Sequence, residues 1–580
     1  MDQQRPFLYL TLFFVGFLIW STWQQEHAPK PAVPAGQTEL SQATQANANN
    51  NGTQNNSMPS GSSVTANANG AINSGGTIPA NAVENTTAKQ VHIKTDVLDV
   101  YISTQGGTIV QADLPTHPVS LEEKDKATRI IDKEQKYAAQ SGLIYRGANG
   151  ASAPNHFTNF SAENMEYVLQ EGQNALQVPL TWTDGNGLTV TKLFNFERGS
   201  FLVKQIQKVN NQTANVWEGI EYLELTHKEY KRSGSLLGGA IAYVGPAYYN
   251  NKYEKVKFDD IKDGDLKDLT SAELNALSEE DKEARIIKGG WVAMLQHYFV
   301  SAWVPSNESE NTYYTRIDKE KDNYIIGVKS PVKQVAPGAS ADFTSQLYVG
   351  PTDQASLAKI SKGLDLTVDY GIFAFVSKPI FAVMSFINRN IVSNWGWTII
   401  LLTLFIKLIF FYPSAMSYKS MAKMKKFQPQ IKSLGEKFKN DPQGKQKATM
   451  ALFKKEKINP LGGCLPMLIQ MPVFMGLYWV IQESVELRQA PWILWYKDLS
   501  IMDPWFALPL IFGASMWLQQ KLNPPAMQDP MQQKIFMYLP LVFTIMFLWF
   551  PAGLVLYWVV NNILSIAQQW FINKKIIGDT

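Results

Sequence analysis

Lys407 sits where a charge is least expected, inside WGWTIILLTLFIKLIFFY (395–412), an otherwise uncharged apolar run. An ammonium near the centre of a membrane helix costs about 2.5 to 3.5 kcal/mol, so it should face a watery cavity or an acidic partner. Snorkelling toward the inner headgroups is the plainer alternative, because Lys407 lies only about 4.5 Å inward of that run's midpoint at helical rise. Other apolar runs supply candidate polar neighbours in Thr403, Gln470, Asn561, Asn562 and Gln568. Each alone reads as an interhelical hydrogen-bonding residue. Together with Lys407 they point to a groove that is wet on one side of a membrane.

Little else in the chain suggests bond-making chemistry. All six His precede residue 300, so the apolar C-terminal part has no imidazole for acid–base or metal work. His92, His117, His156, His227 and His297 lie outside any diagnostic motif. The patterns GxxxxGK[ST], HExxH, GxSxG and CxxC are missing, which argues against an ATP-driven pump, a zinc protease, an α/β hydrolase and a redox protein. Cys464 is the single cysteine and excludes an intramolecular disulfide. No catalytic residue, cofactor, metal or DNA partner is expected.

The elements that must carry these residues can be read along the 580 residues. The run 6–23 (PFLYLTLFFVGFLIWSTW) is uncharged and just long enough to cross about 30 Å of hydrocarbon. Trp20 and Trp23 at its end, and the lack of an A-x-A site, favour an uncleaved anchor over residues 1–24. Residues 25–89 are mostly Ala, Asn, Gln, Ser, Thr, Gly and Pro and read as a disordered tether. From 90 to 352 the pattern turns to period two, as in Leu98, Val100 and Ile102 alternating with polar neighbours, and predicts a large antiparallel β-sandwich. Within it Val178, Leu180 and Trp182 lead through Asp184-Gly185-Asn186-Gly187 to Leu188 and Val190, a hairpin signature. A charged stretch from Glu254 to Lys288, with a capping box at Thr270 and Glu273, reads as a helical insertion.

Further spans are expected at 395–412, 463–482, 505–518, 535–550 and 553–572, with Pro413 closing the first of these and Asp503-Pro504 and Asp529-Pro530 starting two others. The short one at 505 should either thin the bilayer or extend through Gln519 and Gln520. The connection 414–462 carries twelve Lys against Glu436, Asp441 and Glu456 and should be cytoplasmic, whereas the connections after 485 and at 550–553 are poor in Lys and Arg. Six spans follow, with both termini inside and the β-domain outside. Residues 370–388, within the 353–394 connection, could pass for a seventh span, but that would turn the basic connection outward and place Lys378-Pro379 mid-membrane. An amphipathic helix in the outer interface fits better. In the basic connection Met421, Met424, Phe427, Ile431, Leu434 and Phe438 recur at three and four, and Asp441-Pro442-Gln443-Gly444 reads as a turn before a second helix. A basic two-helix hairpin results, able to meet ribosomal RNA or anionic lipid.

YKSMAKM (418–424), KINPLGGCLPMLIQMPVFMGLY (457–478), VELRQAPW (485–492), DPMQQKI (529–535) and FLWFPAGLVLYW (547–558) closely resemble the YidC/Oxa/Alb family of membrane protein insertases, in its long Gram-negative form. The resemblance implies a function in moving nascent membrane proteins into the bacterial inner membrane and folding them, alone or with the Sec translocon, without ATP hydrolysis. It implies a hydrophilic groove, open to cytoplasm and lipid, whose usual Arg falls on Lys407. Lys keeps the charge but lacks the planar five-donor fork. The resemblance also implies roles for Thr403 and Trp558, Trp replacing a more usual Tyr, and a substrate-sliding surface at Leu465, Pro466, Met471, Pro472, Leu541 and Met546. The outer domain resembles a sugar-mutarotase-like supersandwich, with no enzymatic function implied.

Overall fold

A computed structural model describes residues 88–147, 151–230, 243–318, 322–438, 441–456, 465–522, 530–572 and 574. The expected anchor at 1–24 and all of the tether up to residue 87 lie outside the described residues. The contacts below belong to one compact unit, Ile72–Ala526 with Phe536–Thr580.

Among the described residues, strands from Gln90 to Pro351 form two sheets, one of eleven strands and one of nine. Alternation makes the faces: Leu188–Glu197 buries Leu188, Val190, Phe194 and Phe196 on one side and leaves the intervening residues half-exposed. Phe194 and Phe196 meet Val91, Ile93, Leu98, Val100 and Ile102 of the other sheet in a shared core, and Leu188 and Val190 join a second cluster with Leu143 and Trp217. The expected hairpin is present, with Ala175–Thr183 paired antiparallel to Leu188–Glu197. Its turn closes by Leu188 N donating to Asp184 Oδ1 at 2.9 Å. Gly187 has φ +107°, and a Cβ there would lie 3.2 Å from the Gln212 backbone, so both conformation and space require glycine. The sandwich is not wholly antiparallel, since Gln90–Lys94 pairs in parallel with Glu166–Val168. That pairing needs a long excursion between the strands and leaves no local signature.

The charged insertion consists of the short helices α1 (Phe258–Lys262), α2 (Ser271–Asn275) and α3 (Glu279–Arg285). Its capping box forms: Thr270 N donates to Glu273 Oε2 at 2.8 Å, and Glu273 N donates to Thr270 Oγ1. The C-terminal part contains α4 (Gln354–Ile360), α5 (Ala374–Asn390), α6 (Trp395–Ile409), α7 (Phe411–Lys426), α8 (Gln428–Lys437), α9 (Pro442–Lys455), α10 (Leu465–Glu483), α11 (Ala507–Leu522), α12 (Pro530–Phe547) and α13 (Ala552–Phe571). The stretches expected as the last five spans are thus helical, and α11 does run through Gln519 and Gln520.

Length and composition alone do not yield six spans. Among the described residues one helix, Gly371–Asn390, is long and apolar enough to cross a membrane, and α6 with the start of α7 adds a pair bent by 68°. The polar Asn561, Asn562, Gln568 and Gln569 of α13 dilute its apolar character, and α11 has only 16 residues. The qualifying helix is the segment that the sequence pattern placed in the outer interface.

Two local expectations need correction. Pro413 does not close α6. The helix breaks at Phe410, and Pro413 lies in the first turn of α7, where a missing N–H costs nothing. Asp441-Pro442-Gln443-Gly444 is no separate turn, because Asp441 caps α9 and accepts from Gly444 N at 2.9 Å. The first arm of the hairpin also divides at Phe427 into α7 and α8. Ile431 is buried and Phe427, Leu434 and Phe438 are half-buried, while Lys423, Lys426 and Lys437 are exposed.

The β-domain meets the helices along a polar seam. Arg488 Nη2 donates to the carbonyls of Pro118 at 2.7 Å and Val119 at 3.0 Å, and Gln489 Nε2 donates to Pro118 at 3.1 Å. His297 Nε2 donates to the Gln482 carbonyl at 2.9 Å, and Lys255 pairs with Asp369 at 2.5 Å. Glu486, close by in sequence, is half-buried, and its carboxyl is pushed up to about 7 by desolvation.

Candidate functional site

α13 carries a polar stripe at helical spacing, Asn561, Ser565 and Gln568, in a helix otherwise packed by Leu554, Val555, Tyr557 and Val559. Lys407 of α6 reaches this stripe: its Nζ donates to Ser565 Oγ at 2.7 Å. Ser565 Oγ in turn donates to the Asn561 carbonyl at 2.6 Å. Asn561 is tied to Gln470 of α10 by reciprocal amide hydrogen bonds, of which Asn561 Nδ2 to Gln470 Oε1 measures 3.4 Å. Tyr418 of α7 is buried against this end of the bundle with Ala415 and Ile572. Gln568 Nε2 donates to the Phe411 carbonyl at 3.4 Å, just past the break between α6 and α7. Lys407, Ser565, Asn561 and Gln470 therefore form one connected polar path across three helices.

Other expected residues fall elsewhere. Thr403 is buried, but its Oγ1 donates to the Ile399 carbonyl of its own helix at 2.7 Å, so its hydroxyl does not join the path. Asn562 turns to α11 and donates to Ser515 Oγ at 3.1 Å. Trp558 packs among Phe474, Phe512 and Phe547 at ring separations of 5.2, 6.1 and 6.2 Å, and its Nε1 is buried with no acceptor. Met471 is half-buried and Pro472 exposed on α10, and Leu541 and Met546 are exposed on α12. The side chains of Leu465 and Pro466 lie outside the described residues. Ser565 is the residue the sequence reading passed over, although its spacing of four from Asn561 puts both on one face.

The arrangement offers hydrogen bonds and a cation but no nucleophile–base pair. The five described histidines do not converge: His92 bonds Asp99, His156 bonds Tyr222, His227 bonds the Lys228 carbonyl, His297 bonds the Gln482 carbonyl and His117 bonds Thr116. The most unusual cation outside the helices is Lys192, fully buried on the inward face of its strand. Its Nζ donates to the Gly106 carbonyl at 2.6 Å, the Ser141 carbonyl at 2.7 Å and Ser141 Oγ at 2.9 Å. Burial lowers it to about 7 against a partial offset from Glu221.

Two family models together cover the chain from residue 90 almost to its end, "YidC periplasmic domain" over residues 90–383 and "60Kd inner membrane protein" over residues 386–579. The Membrane protein insertase YidC of Thioalkalivibrio sulfidiphilus is 44% identical over 99% of both chains. The chain belongs to the YidC family. Its Pseudomonas fluorescens relative, with the same name, is 43% identical over 100% of this chain and 99% of its own. A solved structure described as an active YidC insertase aligns with 83% of this chain and 92% of its own, at 15% identity and a TM-score of 0.36. As a YidC family member the chain is a membrane insertase and not an enzyme, with the β-rich domain on the periplasmic side and the helical part in the inner membrane.

Proposed function

We propose that this chain inserts nascent membrane proteins through a groove lined by α6, α10 and α13, and assists their folding, alone or with the Sec translocon. The observation that carries the reading is the path from Lys407 through Ser565 and Asn561 to Gln470, a cation and three polar groups inside an apolar bundle. The charge compensates for its burial only if polar substrate groups or water reach it.

In this reading the chain has six spans with both termini cytoplasmic, and a consistent set of contacts among the described residues supports the arrangement of the last five. The seam joins the β-domain to the C-terminal end of α10, and Asn394 at the start of α6 donates to the Pro491 carbonyl at 3.1 Å. Gly553 at the start of α13 donates to the Leu499 carbonyl at 2.9 Å. Those helix ends share the periplasmic side, and Lys407, Ser565 and the Lys-rich helices α7 to α9 lie toward the other. α5 then lies in the outer interface. Ser377, Ile380, Met384 and Ile387 form its single buried stripe, and Phe375, Lys378 and Phe386 are exposed.

A substrate's polar tail enters the groove from the cytoplasm, where Lys407 attracts its acidic groups. Its apolar segment passes over Met471, Pro472, Leu541 and Met546 into lipid. Each buried methylene contributes about 0.8 kcal/mol, and a negative tail gains about 2.3 kcal/mol per charge per 100 mV. These terms supply the driving force without a nucleotide. The basic face of α7 to α9 is the docking surface for ribosomal RNA. Purified protein in liposomes, given a small membrane protein without ATP, should insert it. Failure by folded protein at every membrane potential would overturn this function.

A further inference from the structure

The connection between α10 and α11 is apolar where a periplasmic loop would ordinarily be polar. Leu494 is 77% exposed, Trp505 72% and Ile501 55%, with Met502, Trp495 and Phe506 also exposed. These side chains have not collapsed inward, because the loop beneath them is locked. Asp503 is buried, and its carboxylate accepts from Trp495 Nε1 at 3.2 Å, Tyr496 OH at 3.1 Å, Trp505 N at 3.0 Å and Leu508 N at 2.8 Å. Trp492 N donates to the Tyr496 carbonyl at 2.8 Å, and Ala552 N donates to the Ile501 carbonyl at 2.7 Å, stitching the loop to itself and to α13. Tyr496 and Leu499 fill the space below. Leu494 and Phe506 both hold φ +54°, a conformation that bulky residues rarely adopt and that persists only where the surroundings impose it.

We infer that this Asp503-locked loop is an anchor, seating Leu494, Ile501, Trp505 and Trp495 in the lipid–water interface of the outer leaflet. The inference rests on the topology proposed above. Lipid is the occupant for two reasons. The loop's apolar surface continues into the exposed Leu510 and Ile511 of α11 and, across the Met502–Pro551 bridge, into Trp549 at the end of α12. Its exposed charge is slight, with Lys497 exposed, Asp498 turned onto Ser500 and Asp503 buried, so no charged partner is selected. Tryptophan with an apolar ring outward and a satisfied N–H suits that layer. A loop fixed beforehand also loses little conformational freedom on entering it.

Spin labels test the anchor in the full chain. Cys464→Ser removes the single native thiol, and one cysteine is then placed at position 494, 497, 505 or 510 and labelled with a nitroxide. In phosphatidylcholine vesicles, labels at 494 and 505 should collide with oxygen several-fold more readily than with a water-soluble nickel chelate, and a label at 497 should do the reverse. Nickel-dominated collisions at 494 and 505 overturn the anchor. Protection from both reagents also overturns it, since the loop would then be covered by protein. A label at 510 separates the two readings: oxygen dominance there leaves the topology standing while the anchor falls, and nickel dominance there removes both. Asp503→Asn, which weakens the lock, should raise nickel access at 494 by at least two-fold. Unchanged access would refute the role given to Asp503.

Discussion

Replacing Lys407 separates a working cation from a snorkelling one. Its ammonium lies 2.7 Å from Ser565 Oγ and has no acidic partner among the described residues. A substrate carboxylate drawn to about 4 Å would gain about 1 kcal/mol in a water-like groove and about 4 kcal/mol at the effective dielectric of a protein surface. Since about 1.4 kcal/mol is a factor of ten, Lys407→Ala should slow an acidic-tailed substrate about fivefold or more and leave a neutral-tailed one nearly unchanged. Lys407→Arg should retain activity, and Lys407→Glu should be worse than Ala. The assay is insertion into vesicles of two substrates differing only in tail charge, with equal amounts of each folded variant. Wild-type rates for both substrates with the Ala variant would refute the reasoning, because a cation that merely snorkels is relieved of its burial cost by Ala.

Ser565→Ala removes the group that aims the ammonium and should slow the acidic substrate by less than Lys407→Ala does, read in the same assay. Deleting residues 427–449 removes α8 and half of α9, and should leave the bundle folded by protease mapping while reducing cotranslational insertion severely. Removing 60–320 would strand Ala339–Pro351 without its partners Leu202–Asn211 and Phe299–Val304. Excising 90–352 is therefore the cleaner deletion, and insertion should survive it when assayed in cells depleted of the native protein. Because burial lowers Lys192 from 10.5 to about 7, the unfolded chain binds the extra proton between those values. Stability should then rise with pH across that window, by about 3 °C in Tm per pH unit, in calorimetry of the full chain. Lys192→Met should flatten that rise, with Glu221→Gln as the companion variant because burial raises Glu221 above its ordinary value and gives it a slope of opposite sign.

The local elements were readable from the sequence because their causes are local. The 178–190 hairpin follows from alternation meeting Asp-Gly-Asn-Gly, and α2 begins where Thr270 and Glu273 can cap each other. Lys407 was conspicuous as a charge among apolar residues. Its partner was not, because Ser565 lies 158 residues away and a serine in a helix is unremarkable until the neighbouring helix is placed beside it. Thr403 was overvalued for a related reason: its hydroxyl can satisfy itself on the carbonyl one turn back, which composition does not reveal. The order of strands depends on pairings between distant segments, such as Gln90–Lys94 with Glu166–Val168, and has no local sequence signal.

The seam between the β-domain and the bundle is built largely on main-chain acceptors. Arg488 and Gln489 grip the carbonyls of Pro118 and Val119, and His297 grips that of Gln482. A carbonyl is supplied by every amino acid, so drift at positions 118, 119 and 482 leaves these bonds intact, and selection falls on the three donor side chains and on the Lys255–Asp369 pair. Such a joint lets the outer domain diversify its surface while keeping its attachment, and a domain borrowed from a relative should graft wherever the recipient retains Arg488 and Gln489 and the borrowed domain carries the equivalent of His297.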